Sequence, residues 1–174
     1  METAAGTARM GPLRCPGELS DVATAGYERP FRSPYEKALG LVHLPRLIDK
    51  MRAVGTPQFE GYNYKKSGFD AMLLSFLGID GDEMEGIVRE GQSDDSVLTW
   101  IKSRARNLSP DEARVFNHSI LDRGQQTDEE RRTFEARREQ RYPGRGDLSY
   151  YVDLIEQDEG GVVYKRPLPD SFYS

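Results

Sequence analysis

The sequence is poor in the side chains that build disulfides and metal centres. It contains one cysteine, Cys15, and two histidines among 174 residues. One thiol cannot form an intramolecular disulfide, and these three side chains lack the close spacing of a transition-metal site. The sequence also lacks a glycine-rich phosphate loop and a serine nucleophile elbow. We therefore expect no metal and no cofactor.

Long hydrophobic runs are missing as well. No stretch approaches the roughly 20 apolar residues that span a bilayer, and the first 30 residues lack the apolar segment of a secretory signal. The net charge of −5 and the pI near 5.2 argue against a general binder of nucleic acids or membrane surfaces. These features predict a soluble, cytoplasmic protein that binds neither membranes nor nucleic acid.

Large apolar residues are scarce and unevenly placed. Leu, Ile, Val and Phe together number 37 of the 174 residues, and residues 33–123 hold 24 of them. This distribution predicts a helical core domain at residues 31–124. It also predicts a flexible N-terminal arm at residues 1–30 and a polar helical extension at residues 125–174, packed on the core or on a partner subunit.

Helix start and stop signals punctuate the chain after the arm. Residues 33–36 match a capping box that predicts a helix ending near Gly40. Phe69 begins the strongest amphipathic stripe, which recurs at helical spacing up to Leu77. Further helix starts are predicted at Pro45, Asp80, Ser93, Ser109 and Thr127, and after Gly144.

Together these signals predict an all-α fold, a compact orthogonal bundle of seven or eight short helices. Residues 57–65 are expected to form a loop or a short hairpin. The helices predicted at residues 81–90 and 94–106 have the spacing of a helix-turn-helix motif. However, Asp94 and Asp95 at the start of the second helix would be repelled by a phosphate backbone, so we do not expect DNA binding.

Three segments of the sequence resemble a known family. They are RSP with LGLVHLPRLIDKMRA within residues 32–53, FLGID at residues 76–80 and SDDSVLTW at residues 93–100. In combination they are similar to an uncharacterised bacterial family, domain of unknown function 5069. The resemblance implies a bacterial source, and it carries over no activity and no catalytic residue.

The best candidate site is formed by His43, Arg46 and Lys50. On a continuous helix these residues are spaced i, i+3 and i+7, so they share one face, opposite the apolar side chains that face the core. A histidine beside two cations can bind an anion such as phosphate or carboxylate, with His43 as acid or base. The alternative is an ordinary charged helix face, with His43 half-buried and bonded to a backbone carbonyl.

A second candidate is the aromatic loop that contains Tyr62 and Tyr64. Phenylalanines and lysines are interleaved with these tyrosines within residues 59–69. Such a loop can line a ligand pocket, or it can cover an edge of the core with the tyrosine hydroxyls facing water. If the loop folds over the helix of His43 and Lys50, the two candidates form one site.

Two functions remain open. The lack of a recognised catalytic set and the charged extension favour a non-enzymatic binding or protein-interaction domain, with the extension as a homo-oligomer interface. The alternative is a small enzyme or binder that acts on an anionic metabolite. In that case His43 is the candidate catalytic residue, Arg46 and Lys50 bind the anion, and Tyr62 and Tyr64 are the pocket walls.

Overall fold

The computed structural model describes residues 29–174, so nearly all of the predicted N-terminal arm lies outside the described residues. Within residues 29–174 the chain forms seven α-helices and one two-stranded sheet, which confirms the predicted fold class. The helices are α1 Leu44–Ala53, α2 Gly68–Leu77, α3 Gly81–Arg89, α4 Asp94–Arg104, α5 Pro110–Leu121, α6 Asp128–Arg141 and α7 Tyr151–Asp158. No helix in this described part of the chain is long and apolar enough to cross a membrane.

The helix predicted to start at Ser33 is wrong, because the chain forms a β-hairpin there. One contact of the capping box does form, since the Ser33 amide donates to the Glu36 carboxylate at 3.1 Å, but it closes a single turn. Two short strands follow, β1 Lys37–Ala38 and β2 Leu41–Val42, which pair antiparallel. The turn between them, Leu39–Gly40, has positive φ at both residues (53° and 76°), as a tight two-residue hairpin requires.

A distant contact explains the hairpin. β2 is fully buried, and the Val42 amide donates to the side-chain oxygen of Asn117 in α5 at 3.0 Å. The Asn117 amide nitrogen donates back to the carbonyl of Gly40 at 2.8 Å. Tertiary contacts of this kind override a local helix signal.

The connection between α1 and α2 is a loop. It contains one 3-10 turn at Pro57–Phe59 and no strand, and all of its residues are described. The loop alternative for residues 57–65 is therefore confirmed and the hairpin alternative is wrong.

Local capping signals predict most of the other helix starts correctly. The Asp80 carboxylate accepts hydrogen bonds from two first-turn amides of α3, both at 2.9 Å. Ser109 and Glu112 form a complete capping box at the start of α5. The side chains of Ser93 and Thr127 cap α4 and α6. Since each bond joins residues close in sequence, the sequence alone is sufficient to predict it.

α1 is the central helix of the main core. Its apolar side chains Leu44, Leu47, Ile48 and Met51 have no solvent exposure. Among the described residues, every helix except α6 contributes a buried side chain to this core. α1 is therefore covered over most of its surface, so its polar side chains Arg46 and Lys50 are also buried, whereas Arg52 is exposed.

α6 is held by a second, smaller core. Phe134 is fully buried and packs with Leu148 and Leu154, and its ring meets that of Tyr151 edge-on at 5.1 Å. Phe134 is the one side chain of α6 that is buried. This anchor fixes the position of α6 beside α7, while the predicted use of the extension as an oligomer interface stays a prediction.

We expect replacement of Phe134 by alanine to destabilise the protein by about 3–5 kcal/mol, because it removes a fully buried ring and leaves a cavity. Urea denaturation measures the change in the free energy of unfolding. The matched control is Glu135→Ala at the neighbouring exposed position, which should change stability by less than about 0.5 kcal/mol. Equal losses in the two variants would contradict the role given to Phe134.

Candidate functional site

The predicted face of His43, Arg46 and Lys50 exists, and it is buried. The three side chains are only 1%, 2% and 6% exposed. Arg46 and Lys50 lie in α1, whereas His43 is its N-cap residue and has a left-handed backbone (φ 67°, ψ −14°). This conformation is strained for a residue with a side chain. The alternative of an ordinary exposed charged face does not describe these residues.

His43 and Lys50 meet at one buried carboxylate, that of Asp70 in the first turn of α2. His43 Nε2 lies 2.7 Å from Asp70 Oδ1. Lys50 Nζ donates to both carboxylate oxygens of Asp70, at 2.9 and 3.1 Å, and to the backbone carbonyl of Asn63 at 2.9 Å. Asp70 is 1% exposed, so its charge is balanced by Lys50, and His43 rather than water supplies a further hydrogen bond.

Asp70, His43 and Lys50 shift one another's pKa values. Burial disfavours the charged form of Asp70, but the hydrogen bonds and charges of His43 and Lys50 prevail and lower the pKa of its carboxyl. Burial lowers the pKa of His43 despite the nearby carboxylate, and Lys50 and Arg46 lower it further. A neutral His43 donates through Nε2–H to Asp70 and leaves the lone pair of Nδ1 without a hydrogen-bond partner among the described residues.

Arg46 joins α1 to the residue that follows α7. Its guanidinium pairs with the buried carboxylate of Glu159, with Nη1 to Oε2 at 2.8 Å, and also donates to the carbonyl of Arg32 at 3.0 Å. The rings of Phe31 and Tyr62 lie 5.5 and 5.8 Å from the guanidinium carbon. Arg46 is thus held by a carboxylate, a carbonyl and two aromatic faces.

These buried groups form the floor of an open cleft with a volume of about 1170 Å³. One wall is the His43–Lys50 face of α1 together with the start of α2 and the preceding loop. The opposite wall is a face of α6, followed by α7. The α6 residues that line it recur at helical spacing, at positions 130, 133, 137 and 141.

Most cleft charges on the α6 side are also paired. Arg123 lies 2.5 Å from Glu130, and Arg141 lies 2.8 Å from Asp158. Arg137 differs, because within the described residues it has no carboxylate partner and its guanidinium lies over the ring of Tyr151 at 5.7 Å. Arg137 is therefore the cleft cation best placed to meet an incoming anion.

The two tyrosines of the aromatic loop have different positions. Tyr62 lines the cleft, with its ring 5.9 Å from Lys50 Nζ. Tyr64 does not line it, since its hydroxyl donates to Glu85 in α3 at 2.9 Å and its ring packs on Phe59. The loop therefore brings Tyr62, but not Tyr64, to the predicted site.

The sequence analysis missed Asp70, Glu159 and Arg137. A signal for Asp70 was present, because it is spaced i, i+3 and i+7 with Leu73 and Leu77 and thus lies on the apolar stripe of α2. A carboxylate on such a stripe requires a buried partner. Glu159 and Arg137 have no comparable local signal, since they reach the site only through tertiary packing.

The lowered pKa of His43 predicts a pH dependence of stability. Because the folded state binds the His43 proton less tightly than the unfolded state, this contribution is present above the ordinary histidine pKa of about 6.5 and is lost as pH falls below it. Urea denaturation between pH 8 and pH 5 should show stability falling by up to about 1.4 kcal/mol per pH unit. His43→Gln should flatten this slope.

The second histidine provides the control. His118 lies partly exposed on α5, where it pairs with Asp122 and stacks on Tyr173 away from the cleft, so His118→Gln shows how much of the slope depends on a histidine other than His43. A slope unchanged in His43→Gln would show that another group causes the acid sensitivity.

The cleft residues lie within a segment that matches a protein family. None of the curated proteins compared with the chain matches it. One family model matches residues 28–161, which include α1 to α7 and every cleft residue named above. The match covers more than half of the chain and agrees with the resemblance seen in the sequence. The chain belongs to the family described as domain of unknown function DUF5069.

Proposed function

We propose that the chain binds a small anionic metabolite in the cleft between α1 and α6. The observation that carries this proposal is the meeting of two cation-bearing helix faces across an open volume of about 1170 Å³. Small-molecule sites typically have volumes of about 300–1,000 Å³, so a metabolite fits with room for water.

Arg137 supplies the charge that attracts the ligand. The other cations of the cleft already have carboxylate partners, which cancel most of their field. The Arg137 guanidinium, exposed and placed over Tyr151, can donate two parallel hydrogen bonds to a carboxylate or phosphate. Arg46 and Lys50 act from the floor, where they hold the cleft in shape.

Tyr62 forms the aromatic part of the wall. Its ring lies between the cleft and the buried cations, 5.8 Å from the guanidinium carbon of Arg46 and edge-on to Phe31 at 4.8 Å. A flat, fixed ring at this position gives the apolar part of a metabolite a surface to pack on.

A second candidate function is enzymatic, with His43 as the acid or base that acts on the bound metabolite. The pairing of His43 with Asp70 favours it, since a carboxylate at Nε2 fixes the ring and stabilises the imidazolium that forms when Nδ1 takes a proton. The strained backbone of His43 also favours it, because strain concentrates at functional sites.

We expect succinate or inorganic phosphate at millimolar concentration to bind the protein and raise its melting temperature. Arg137→Gln should weaken binding by a factor of about ten to one hundred, because it removes a charge-assisted hydrogen bond worth roughly 1.5–3 kcal/mol. Isothermal titration calorimetry measures both dissociation constants.

The control is Arg132→Gln, which removes the same charge from the exposed surface of α6 outside the cleft. This variant should bind succinate and phosphate like the wild type. Absence of binding, or equal weakening by the two variants, would contradict a site at Arg137.

A further inference from the structure

We propose that Lys50 is an amine nucleophile that forms an imine with a 2-oxo acid bound in the cleft. This inference rests on the proposed binding of an anionic metabolite and names its chemical class. An amine at the floor of a cleft reacts with a carbonyl carbon, and the exposed Arg137 guanidinium together with the uncapped start of α2 favours a carbonyl compound that carries a carboxylate.

The position of Lys50 distinguishes it from the other lysines. The chain has six lysines, all within the described residues, and Lys50 is the one that lines the cleft. Its side chain is 7% exposed and is held by three acceptor contacts, two to Asp70 and one to Asn63. The ammonium is therefore oriented and largely stripped of water.

The surroundings also favour loss of a proton from Lys50. Burial lowers the pKa of its ammonium, and the positive charge of Arg46 adds to this effect, although Asp70 opposes it. A desolvated lysine next to a second cation is the environment in which lysine amines act as nucleophiles.

Asp70 can accept the proton transiently, because it contacts Lys50 Nζ through both oxygens, and its lowered pKa favours return of the proton later in the step. The Lys50 ammonium transfers a proton to the Asp70 carboxylate, and the amine lone pair attacks the carbonyl carbon of the oxo acid. The C=O electron pair moves to oxygen, which takes a proton from the new C–N nitrogen to give a carbinolamine. Asp70 then returns its proton to the hydroxyl, which leaves as water, and the C=N bond forms as an iminium. Charge balances, and Asp70 ends as the carboxylate.

The start of α2 offers a place for the substrate carboxylate. Ser67 and Gly68 line the cleft, and the α2 N-terminus has no side-chain cap. The first-turn amides of α2 are in the same turn as Asp70, which bonds Lys50 Nζ, and an uncapped helix start can bind a carboxylate. When Asp70 accepts the lysine proton, its negative charge disappears from this turn, so repulsion of the substrate carboxylate decreases as the amine becomes reactive.

His43 is a positioning residue in this step. Its ring contacts Asp70 and also packs edge-on against Phe69, with 5.5 Å between the ring centres. The hydrogen bond from Nε2 to Oδ1 fixes the Asp70 carboxylate that also accepts from Lys50. The same hydrogen bond stabilises the ionised form of Asp70, so Asp70 readily gives its proton to the carbinolamine hydroxyl.

Reductive trapping tests this proposal directly. The full chain is incubated with pyruvate or 2-oxoglutarate and sodium cyanoborohydride, which reduces an iminium to a stable secondary amine. Peptide mass spectrometry then locates the adduct. At neutral pH we expect one equivalent of adduct on Lys50. This adduct should form at least about tenfold faster than the adduct on exposed Lys66.

Two variants and one competitor complete the experiment. Lys50→Arg keeps the positive charge beside Asp70 and should abolish the fast adduct, whereas Lys66→Arg should leave it unchanged. Succinate, which has no ketone, should slow trapping at Lys50 and not at Lys66. Circular dichroism confirms that both variants are folded.

The outcomes separate this inference from the proposed function. If succinate binds in an Arg137-dependent way but neither oxo acid gives a fast adduct on Lys50, the imine proposal is overturned and the binding proposal stands. Adducts spread evenly over the surface lysines also overturn it. If succinate and phosphate do not bind and no adduct forms, both proposals fall.

Discussion

Asp70 carries a charged carboxylate in a place where water cannot solvate it, and much of the structure around the cleft serves to balance that charge. The carboxylate takes hydrogen bonds from Lys50 and contacts the ring of His43. An ionised group without such partners would cost several kcal/mol to bury, and removal of one partner of a buried pair typically costs about 3–5 kcal/mol. α1 and α2 therefore cannot shift relative to each other without breaking these bonds. The same constraint positions Lys50 Nζ and the imidazole to within hydrogen-bond distances at the floor of the cleft.

A second buried ion pair extends this constraint to the C-terminal part of the chain. Arg46 and Glu159 are 113 residues apart in sequence, and their contact holds the end of α7 against α1. Arg29 adds a pair with the buried Glu156, one turn earlier. Because the smaller core around Phe134 fixes α6 beside α7, these ion pairs also determine where the far wall of the cleft lies. The two walls of the cleft are thus joined by buried ion pairs as well as by apolar packing.

The range of each interaction along the chain explains how much of the fold could be predicted. Helix caps such as Asp80 and Ser109 involve neighbours within three residues, so the sequence is sufficient to predict them. At Ser33 the same type of signal fails, because β2 is held by Asn117, 75 residues away, and the buried hairpin is more favourable than a short exposed helix. Residues 57–65 form a loop with one 3-10 turn and no strand.

The candidate site shows the same difference between local and long-range interactions. Helical periodicity was sufficient to place His43, Arg46 and Lys50 on one face, since that relation is local. Periodicity could not show that this face is buried, because the groups that cover it come from α2 and from the residues after α7. Tyr62 and Tyr64 show most clearly that closeness in sequence does not predict which side chain lines the cleft. They are two residues apart in one loop, yet one lines the cleft and the other bonds to α3.

The floor of the cleft carries several structural costs, and their combination around one open volume supports a functional role. His43 has a strained left-handed backbone, and within the described residues both its Nδ1 and the Arg46 Nε are buried without a partner. Each unsatisfied buried polar atom typically costs about 1–3 kcal/mol. A stability optimum would replace this face of α1 with apolar side chains, which are available to the rest of the helix and need no partners. Retention of a strained histidine, two buried cations and their carboxylates around one open volume is the pattern expected where a protein gives up stability for chemistry.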